Sequence, residues 1–259
     1  MAGEAMFGVE RRNKIVALIQ EKKSVLVQDM AALFNVTEET IRRDLKELEN
    51  GGLIFRTHGG AILVEDSKAE AAVEIREGIN IPGKDAIGRS AAELVKDGDT
   101  IILDASTSSL FVAKHIKNKK GLTVITNAEK IMLELSSCED FSLISTGGIF
   151  RHKSLSYVGK IAETALSNYH ASKAFISCKG FSPKKGLMDS NEQESDIRKA
   201  MLKCSEEAVF LCDSTKFDKV GYVVTAQLED FNYFITDSSV PNDWTEAFKE
   251  NNVVLVNAL

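Results

Sequence analysis

Four hydroxyls in succession, Ser106-Thr107-Ser108-Ser109, separate an apolar run ending at Asp104 from a helical pattern that begins near Leu110. Backbone N–H groups at a helix start, ringed by hydroxyls, cradle a phosphate without a P-loop. One N-cap needs only one hydroxyl, so four in a row favour ligand binding over capping alone. Lys216, closing the run Asp213-Ser-Thr-Lys216 after another apolar stretch, would supply the countercharge. Asp104, Asp189, Glu192, Glu194 and Asp213 could work as acid or base, and Lys179 or Lys216 could polarise a carbonyl. No two of them have a catalytic spacing, however, and GxSxG, Walker A and complete GxGxxG motifs are absent. Cys138, Cys178, Cys204 and Cys212 stand singly and the four histidines lack paired-ligand spacing, so buried free thiols, no metal and no cofactor are expected.

A second set of residues points to nucleic acid. Glu39, Thr40, Arg42, Arg43 and Lys46 share a helical stretch whose apolar stripe is Ile41, Leu45 and Leu48. At 100° per residue, Glu39, Arg43 and Lys46 fall roughly 140° to 200° from Ile41, with Thr40 and Arg42 on the flanks. Arg43 is placed to grip guanine O6 and N7 in a major groove, whereas Lys46, Thr40 and Arg42 suit phosphates. Two further apolar faces, Ile15, Leu18 and Ile19, then Val27, Met30, Ala31 and Phe34, predict the helices that hold this one. Between the second and third lie Asn35, Val36 and Thr37. Asn suits a left-handed helix end, Val plugs the corner and Thr caps the next helix, which makes a helix-turn-helix. LIFRT and AILV, separated by His58-Gly59-Gly60, add a hairpin wing; Arg56 and His58 could touch a groove or phosphate from it, or else Arg56 packs its stem over the sheet at Phe55 and His58 only occupies the turn. Residues 1–64 carry nine basic and nine acidic side chains. Such a neutral module must rely on locally placed cations and on pairing.

The hydroxyl and lysine cluster needs another scaffold. Beyond a polar, Ala-rich connector with some helix, closed by Pro82-Gly83, the runs TIILD, LTVITN, FSLIST, KAFISC, EAVFLCD, YFITD and VVLV alternate with helical patterns. This predicts an α/β domain with a mostly parallel sheet covered on both faces. The expected division is a DNA-binding domain at 1–64, a linker at 65–83 and an effector-binding and oligomerisation domain at 84–259. The strands end in residues 104–109, Thr126-Asn127, Ser145-Thr-Gly147-Gly148, Cys178-Lys179-Gly180 and residues 213–216. Carboxyl ends of parallel strands form the edge where such sheets bind ligands, so the pocket would take a small polar anion. With 44% hydrophobic residues and a net charge of -6, the 259-residue chain is globular rather than disordered. No apolar run approaches the roughly 18 to 20 residues of a membrane span and the opening lacks a signal-peptide core, so a cytoplasmic protein without a membrane partner is expected. All the net negative charge falls beyond residue 64, which excludes nucleic-acid binding by bulk charge there.

The run TEETIRRDLKELENGGLIFRTHGGAI at 37–62 closely resembles the signature of the DeoR family of bacterial transcription regulators. The resemblance continues through DGDTIILDASTSSL, LTVITN, STGG, KAFISCKG, GLMD and DSTKF, over nearly the whole chain. It implies a winged helix-turn-helix joined to a sensor domain similar to ribose-5-phosphate isomerase and coenzyme A transferase folds. It further implies a repressor of a carbohydrate operon, not an enzyme, that binds double-stranded operator DNA as a homodimer or homotetramer and senses a phosphorylated sugar. Position by position, Thr40, Arg42 and Arg43 match the family's operator-reading helix. Asp104, Ser106, Thr107, Ser108, Thr126, Asn127, Gly147, Gly148, Lys179, Gly180 and Lys216 match loops lining its effector pocket. Three departures stand out: Ser106 replaces a usual Gly, Ser177-Cys178-Lys179 replaces a small Gly-Ala surface, and Leu26 stands where a polar cap for the second helix is common. The competing class is a sugar-phosphate isomerase or transferase with a DNA-binding appendage.

Overall fold

The computed structural model describes residues 8–50, 54–63 and 70–258, and the chain divides into two compact units, Met1–Ile79 and Asn80–Leu259. In the first, α1 (Gly8–Lys22), α2 (Val27–Phe34) and α3 (Glu38–Asn50) pack with an antiparallel sheet of β1 (Ser24–Leu26), β2 (Ile54–Arg56) and β3 (Gly60–Leu63), in the order β1-β3-β2. A short α4 (Val73–Glu77) follows. The expected apolar faces meet in one core of Ile15, Ile19, Val27, Met30, Ile41, Leu45 and Leu48, except that Val16 is buried where Leu18 is only half-buried. Asn35 takes the left-handed conformation at φ 51°, ψ 49°, and Thr37 Oγ1 accepts from the Thr40 N–H at 3.3 Å. That is the corner expected of a helix-turn-helix. Leu26, as anticipated, offers α2 no side-chain cap. The wing does that job: the Gly59 carbonyl accepts from the Val27 N–H at 2.8 Å.

The second unit opens with α5 (Ile81–Glu93), then β4 (Thr100–Leu103), α6 (Thr107–His115), β5 (Thr123–Thr126), α7 (Glu129–Leu135) and β6 (Ser142–Ser145). A hairpin of β7 (Ile149–Arg151) and β8 (Ser156–Val158) leads to α8 (Lys160–Leu166) and β9 (Ala171–Ile176). Then come β10 (Gly180–Ser182), β11 (Gly186–Asp189), α9 (Glu192–Lys203), β12 (Ser205–Leu211), β13 (Val223–Ala226), β14 (Tyr233–Thr236), α10 (Asn242–Glu250) and β15 (Val254–Asn257). Seven strands form one sheet, β15-β14-β12-β9-β4-β5-β6, and every pairing in it is parallel. Side chains alternate between two cores: Ile102, Ala174 and Phe210 on one face, Ile101, Phe175 and Val209 on the other. Helices cover both, which is why the strands read as continuous apolar runs. Gly88 lets α5 cross α6 closely, since a Cβ there would lie 2.7 Å from the Phe111 carbonyl carbon.

From β4 the chain winds outward to β6 and then returns to β9 on β4's other side. The loops after β4 and β9 therefore flank the point where strand order reverses, the usual ligand crevice of such sheets. The β7–β8 hairpin and the small β10-β11-β13 sheet were not foreseen. Part of the expected 65–83 connector is helical: α4 belongs to the first unit, and Pro82 lies in the first turn of α5 rather than closing a linker. Proline fits there because a first-turn N–H needs no partner. Residues 65–69 of that connector lie outside the described residues. Among the described residues no helix is long and apolar enough to cross a membrane.

Candidate functional site

In the first unit, Thr37, Glu39, Arg42, Arg43, Lys46, Arg56 and His58 are exposed and Thr40 is half-buried. α3 presents them because the opposite side of the helix is fixed twice, by its apolar stripe and by Asp44. Asp44 is buried and receives Arg11 Nε at 2.5 Å, tying α3 to α1. On α3 the i,i+4 ion pair is Arg42 with Glu38 at 3.1 Å. Arg43 and Lys46 consequently have no ion pair among the described residues and face solvent. Thr37 and Thr40 share a hydroxyl contact of 3.0 Å, which engages both. Arg56 donates through Nε to Glu49 at 2.7 Å and through its backbone N–H at 3.0 Å, so this wing cation is already partnered by α3.

In the second unit, the expected convergence of the Ser106–Ser109 run and Lys216 occurs. Lys216 Nζ lies 2.6 Å from Ser177 Oγ, 3.2 Å from Asp213 Oδ2 and 3.4 Å from Ser108 Oγ, bringing the ends of β9 and β12 to the start of α6. Burial is the largest influence on Lys216 and opposes its charge, but the charge and hydrogen bond of Asp213 together with the neighbouring Cys178 and Cys212 keep the ammonium more basic than usual. The four hydroxyls divide their work. Ser106 Oγ is the N-cap of α6, accepting from the Ser109 N–H at 3.0 Å, and Ser109 Oγ donates to Asp104 at 2.6 Å. Two of the four are therefore structural, and Thr107 and Ser108 remain for a ligand. Their N–H groups, at the first turn of α6, have no carbonyl one turn back to bond.

Asp104 is not available as a ligand group. Its Oδ1 accepts from the Ser106 N–H at 3.2 Å, and its Oδ2 from Arg198 Nε at 2.8 Å and the Ser177 N–H at 3.2 Å. It shapes the loop instead. Thr126 Oγ1 donates to the Leu103 carbonyl at 2.6 Å and accepts from the Ala128 N–H at 3.1 Å. Asn127 donates to the Tyr157 carbonyl at 3.0 Å, while its buried Oδ1 has no hydrogen-bond partner among the described residues. The Gly147 N–H donates to Ser145 Oγ at 3.3 Å, and Gly148 packs against the Val158 carbonyl. Lys179 is half-buried, its N–H bonded to the Met188 carbonyl at 3.1 Å, and Gly180 lies against the Lys219 carbonyl too closely for any Cβ.

The architecture of both units agrees with similarity to known proteins. The DeoR-like helix-turn-helix domain matches residues 11–67, and the DeoR C-terminal sensor domain matches residues 79–238. The HTH-type transcriptional regulator YulB of Bacillus subtilis is 42% identical over 248 residues, 96% of each chain. The chain belongs to the DeoR family of transcription regulators. A second DeoR-like match, the L-fucose operon activator of Haemophilus influenzae, is 29% identical over 95% of this chain and 98% of its own. Among solved structures, ribose 5-phosphate isomerase A of Methanocaldococcus jannaschii covers 52% of this chain and 54% of its own at 17% identity, with a TM-score of 0.39.

This DeoR-family sensor holds charged residues that the sequence did not mark as site-forming. Arg198 on α9 is buried and faces Asp104 at 2.8 Å, Asp189 at 3.2 Å and Glu194 at 3.9 Å. Glu194 also accepts from Ser154, Ser156 and Arg151, which locks the β7–β8 hairpin to the start of α9. Burial pushes all three carboxyls up. Arg198 and the hydroxyl donors still leave Asp104 and Glu194 below their ordinary values, whereas Asp189 stays above its own. Burial likewise raises Cys178 and Cys212, making them poor nucleophiles. Lys84, in the first turn of α5, is buried too, and its charge helps Lys216 pull Asp213 down to about 2 against burial. The Glu194 to Arg198 spacing is one helical turn, a usable signal, but an i,i+4 pair is ordinarily a surface feature.

Proposed function

We propose that this regulator represses a carbohydrate-utilisation operon and that a phosphorylated sugar, bound at the start of α6, controls its hold on operator DNA. The observation that carries the reading is Lys216 seated over Ser108, beside the unbonded first-turn N–H groups of Thr107 and Ser108. A phosphate there would meet an ammonium, two N–H donors and two hydroxyls, each charge-assisted bond contributing about 1.5 to 3 kcal/mol. Asn127, Lys179 and the glycines after β6 would border the sugar. The naming of one relative as the activator of an L-fucose operon supports a carbohydrate target.

On DNA, Arg43 reads a guanine from the major groove and Lys46, Arg42 and Thr40 hold phosphates, while Glu39 and Thr37 border the same face and His58 reaches from the wing. The protein works in the cytoplasm as a homodimer or homotetramer, since a neutral module needs a second half-site. Titration calorimetry with a sugar and its phosphate tests the effector site. Binding of the phosphate alone is expected, and equal affinity for both forms would remove the anion site from the argument.

A further inference from the structure

At the end of β14, the Asp237 carboxylate joins two segments of the second unit. Oδ1 accepts from the Ser214 N–H at 2.7 Å and Oδ2 from Ser214 Oγ at 3.3 Å, in the turn that carries Lys216. Oδ2 also accepts from Asn80 Nδ2 at 2.7 Å. Asn80 is the first residue of the second unit, and every displacement handed along the chain toward residues 1–79 passes through its backbone. It is held left-handed at φ 50°, ψ 49°, and its Oδ1 accepts from the Gly83 N–H at 3.3 Å to start α5. The fit is close, for a Cβ on Gly83 would lie 2.0 Å from Asp237 Oδ2. One residue on, the charge of the buried Lys84 reaches Asp213 in the same turn as Ser214.

We propose that Asp237 is a positioning residue that relays occupancy of the Lys216 site to Asn80, and so to the chain that carries the DNA-binding unit. The proposal rests on Lys216 as the phosphate ligand. A dianion at Lys216 competes with Asp213 for the ammonium. Asp213 then leans on Lys84, the turn shifts with Ser214, and Asp237 carries the shift to Asn80. A left-handed non-glycine residue sits in a narrow well, so it transmits a small displacement instead of absorbing it.

The test uses the full-length protein, DNA selected from a random pool by the wild type, and a panel of aldose and ketose monophosphates from which the tightest binder is taken. Wild-type protein is expected to change its DNA affinity by on the order of ten-fold when that ligand saturates. Asp237→Asn puts a donor against two donors. Asn80→Gly deletes the tie while leaving the left-handed backbone accessible. Both variants are expected to bind the sugar phosphate and the DNA separately within about three-fold of wild type, yet show less than a two-fold ligand effect on DNA affinity. Retention of the wild-type ligand effect by a folded variant overturns the relay and leaves the effector site standing. Loss of sugar-phosphate affinity itself also overturns it, by making Asp237 part of the binding surface. A wild-type protein indifferent to the whole panel removes the effector reading and the relay together.

Discussion

Replacing Lys216 with methionine takes away a buried cation while keeping the aliphatic stem. Asp213 is fully buried, and Lys216, Lys84 and Thr215 together pull its carboxyl from 3.8 to about 2 in spite of that burial. The depression corresponds to about 2 to 3 kcal/mol in favour of the carboxylate. Stripping one partner from a buried pair generally costs about 3 to 5 kcal/mol. Lys84 stays in place, so the lower end applies and about 3 kcal/mol is expected for Lys216→Met. In a unit of this size that lowers Tm by about 6 to 12 °C. The chain's one tryptophan, Trp244, is buried in the second unit, so its fluorescence during urea unfolding follows the relevant transition. Lys216→Met with Asp213→Asn is expected to regain most of the stability, because no bare carboxylate remains, but none of the sugar-phosphate affinity. A single variant as stable as wild type refutes the buried pair. A double variant that binds the sugar phosphate normally refutes the phosphate role of Lys216.

Arg43→Ala is expected to weaken binding to selected DNA by about 1 to 3 kcal/mol and scrambled DNA much less, whereas Arg42→Ala weakens both alike; mobility shifts on the two DNAs separate these outcomes. Asp104 and Glu194 are held below their ordinary values of 3.8 and 4.5, as is Asp213. The stability they add is therefore present above about pH 4.5 and lost as pH falls toward 2, while Asp189, held above its ordinary value, acts in the opposite sense. Urea midpoints at pH 7, 4 and 3 will show a net decline, and a flat profile would contradict it. Asn35→Gly should leave the first unit's stability nearly unchanged and Asn35→Val should cost about 1 to 2 kcal/mol, read by thermal melting. A fragment of residues 80–259 retains the Asn80 cap of α5 and is expected to sediment as a dimer or tetramer; a monomer at micromolar concentration would put the pairing contacts in residues 1–79.

What the sequence disclosed follows from how local each signal is. Asn35, Val36 and Thr37 carry their meaning within three residues, and the corner formed as read. The parallel strands announced themselves because burial on both faces leaves no polar alternation. Convergence of Lys216 on Ser108 was legible only through topology, since both follow strand ends. Arg198 was not legible: its partner Asp104 is distant in sequence, Asp189 meets it only through the turn from β11 into α9, and the same Glu194-to-Arg198 spacing would look identical on an exposed helix. The hydroxyl run was over-read for a related reason. Ser106 as cap and Ser109 as a donor to Asp104 are structural roles that become visible only once the Asp104 carboxylate is placed.

The ion pairs of the first unit bear on how the protein finds its site in a genome. Arg11, Arg12, Arg42 and Arg56 each face a carboxylate, and Arg43 and Lys46 are the cations left over on α3. Sequence-independent affinity comes from displaced counterions, with a log–log salt slope of about −0.9 per phosphate neutralised. On random DNA, where no guanine need be read, α3 would bring two such cations per module, on the order of four phosphates for the recognition helices of a proposed pair, a shallow salt dependence. Such a protein leaves random DNA quickly, so the ~10⁶ or more competing sites of a chromosome sequester little of it. On the function proposed above, an effector that loosens the operator complex would return the molecule to free solution instead of moving it to the neighbouring duplex.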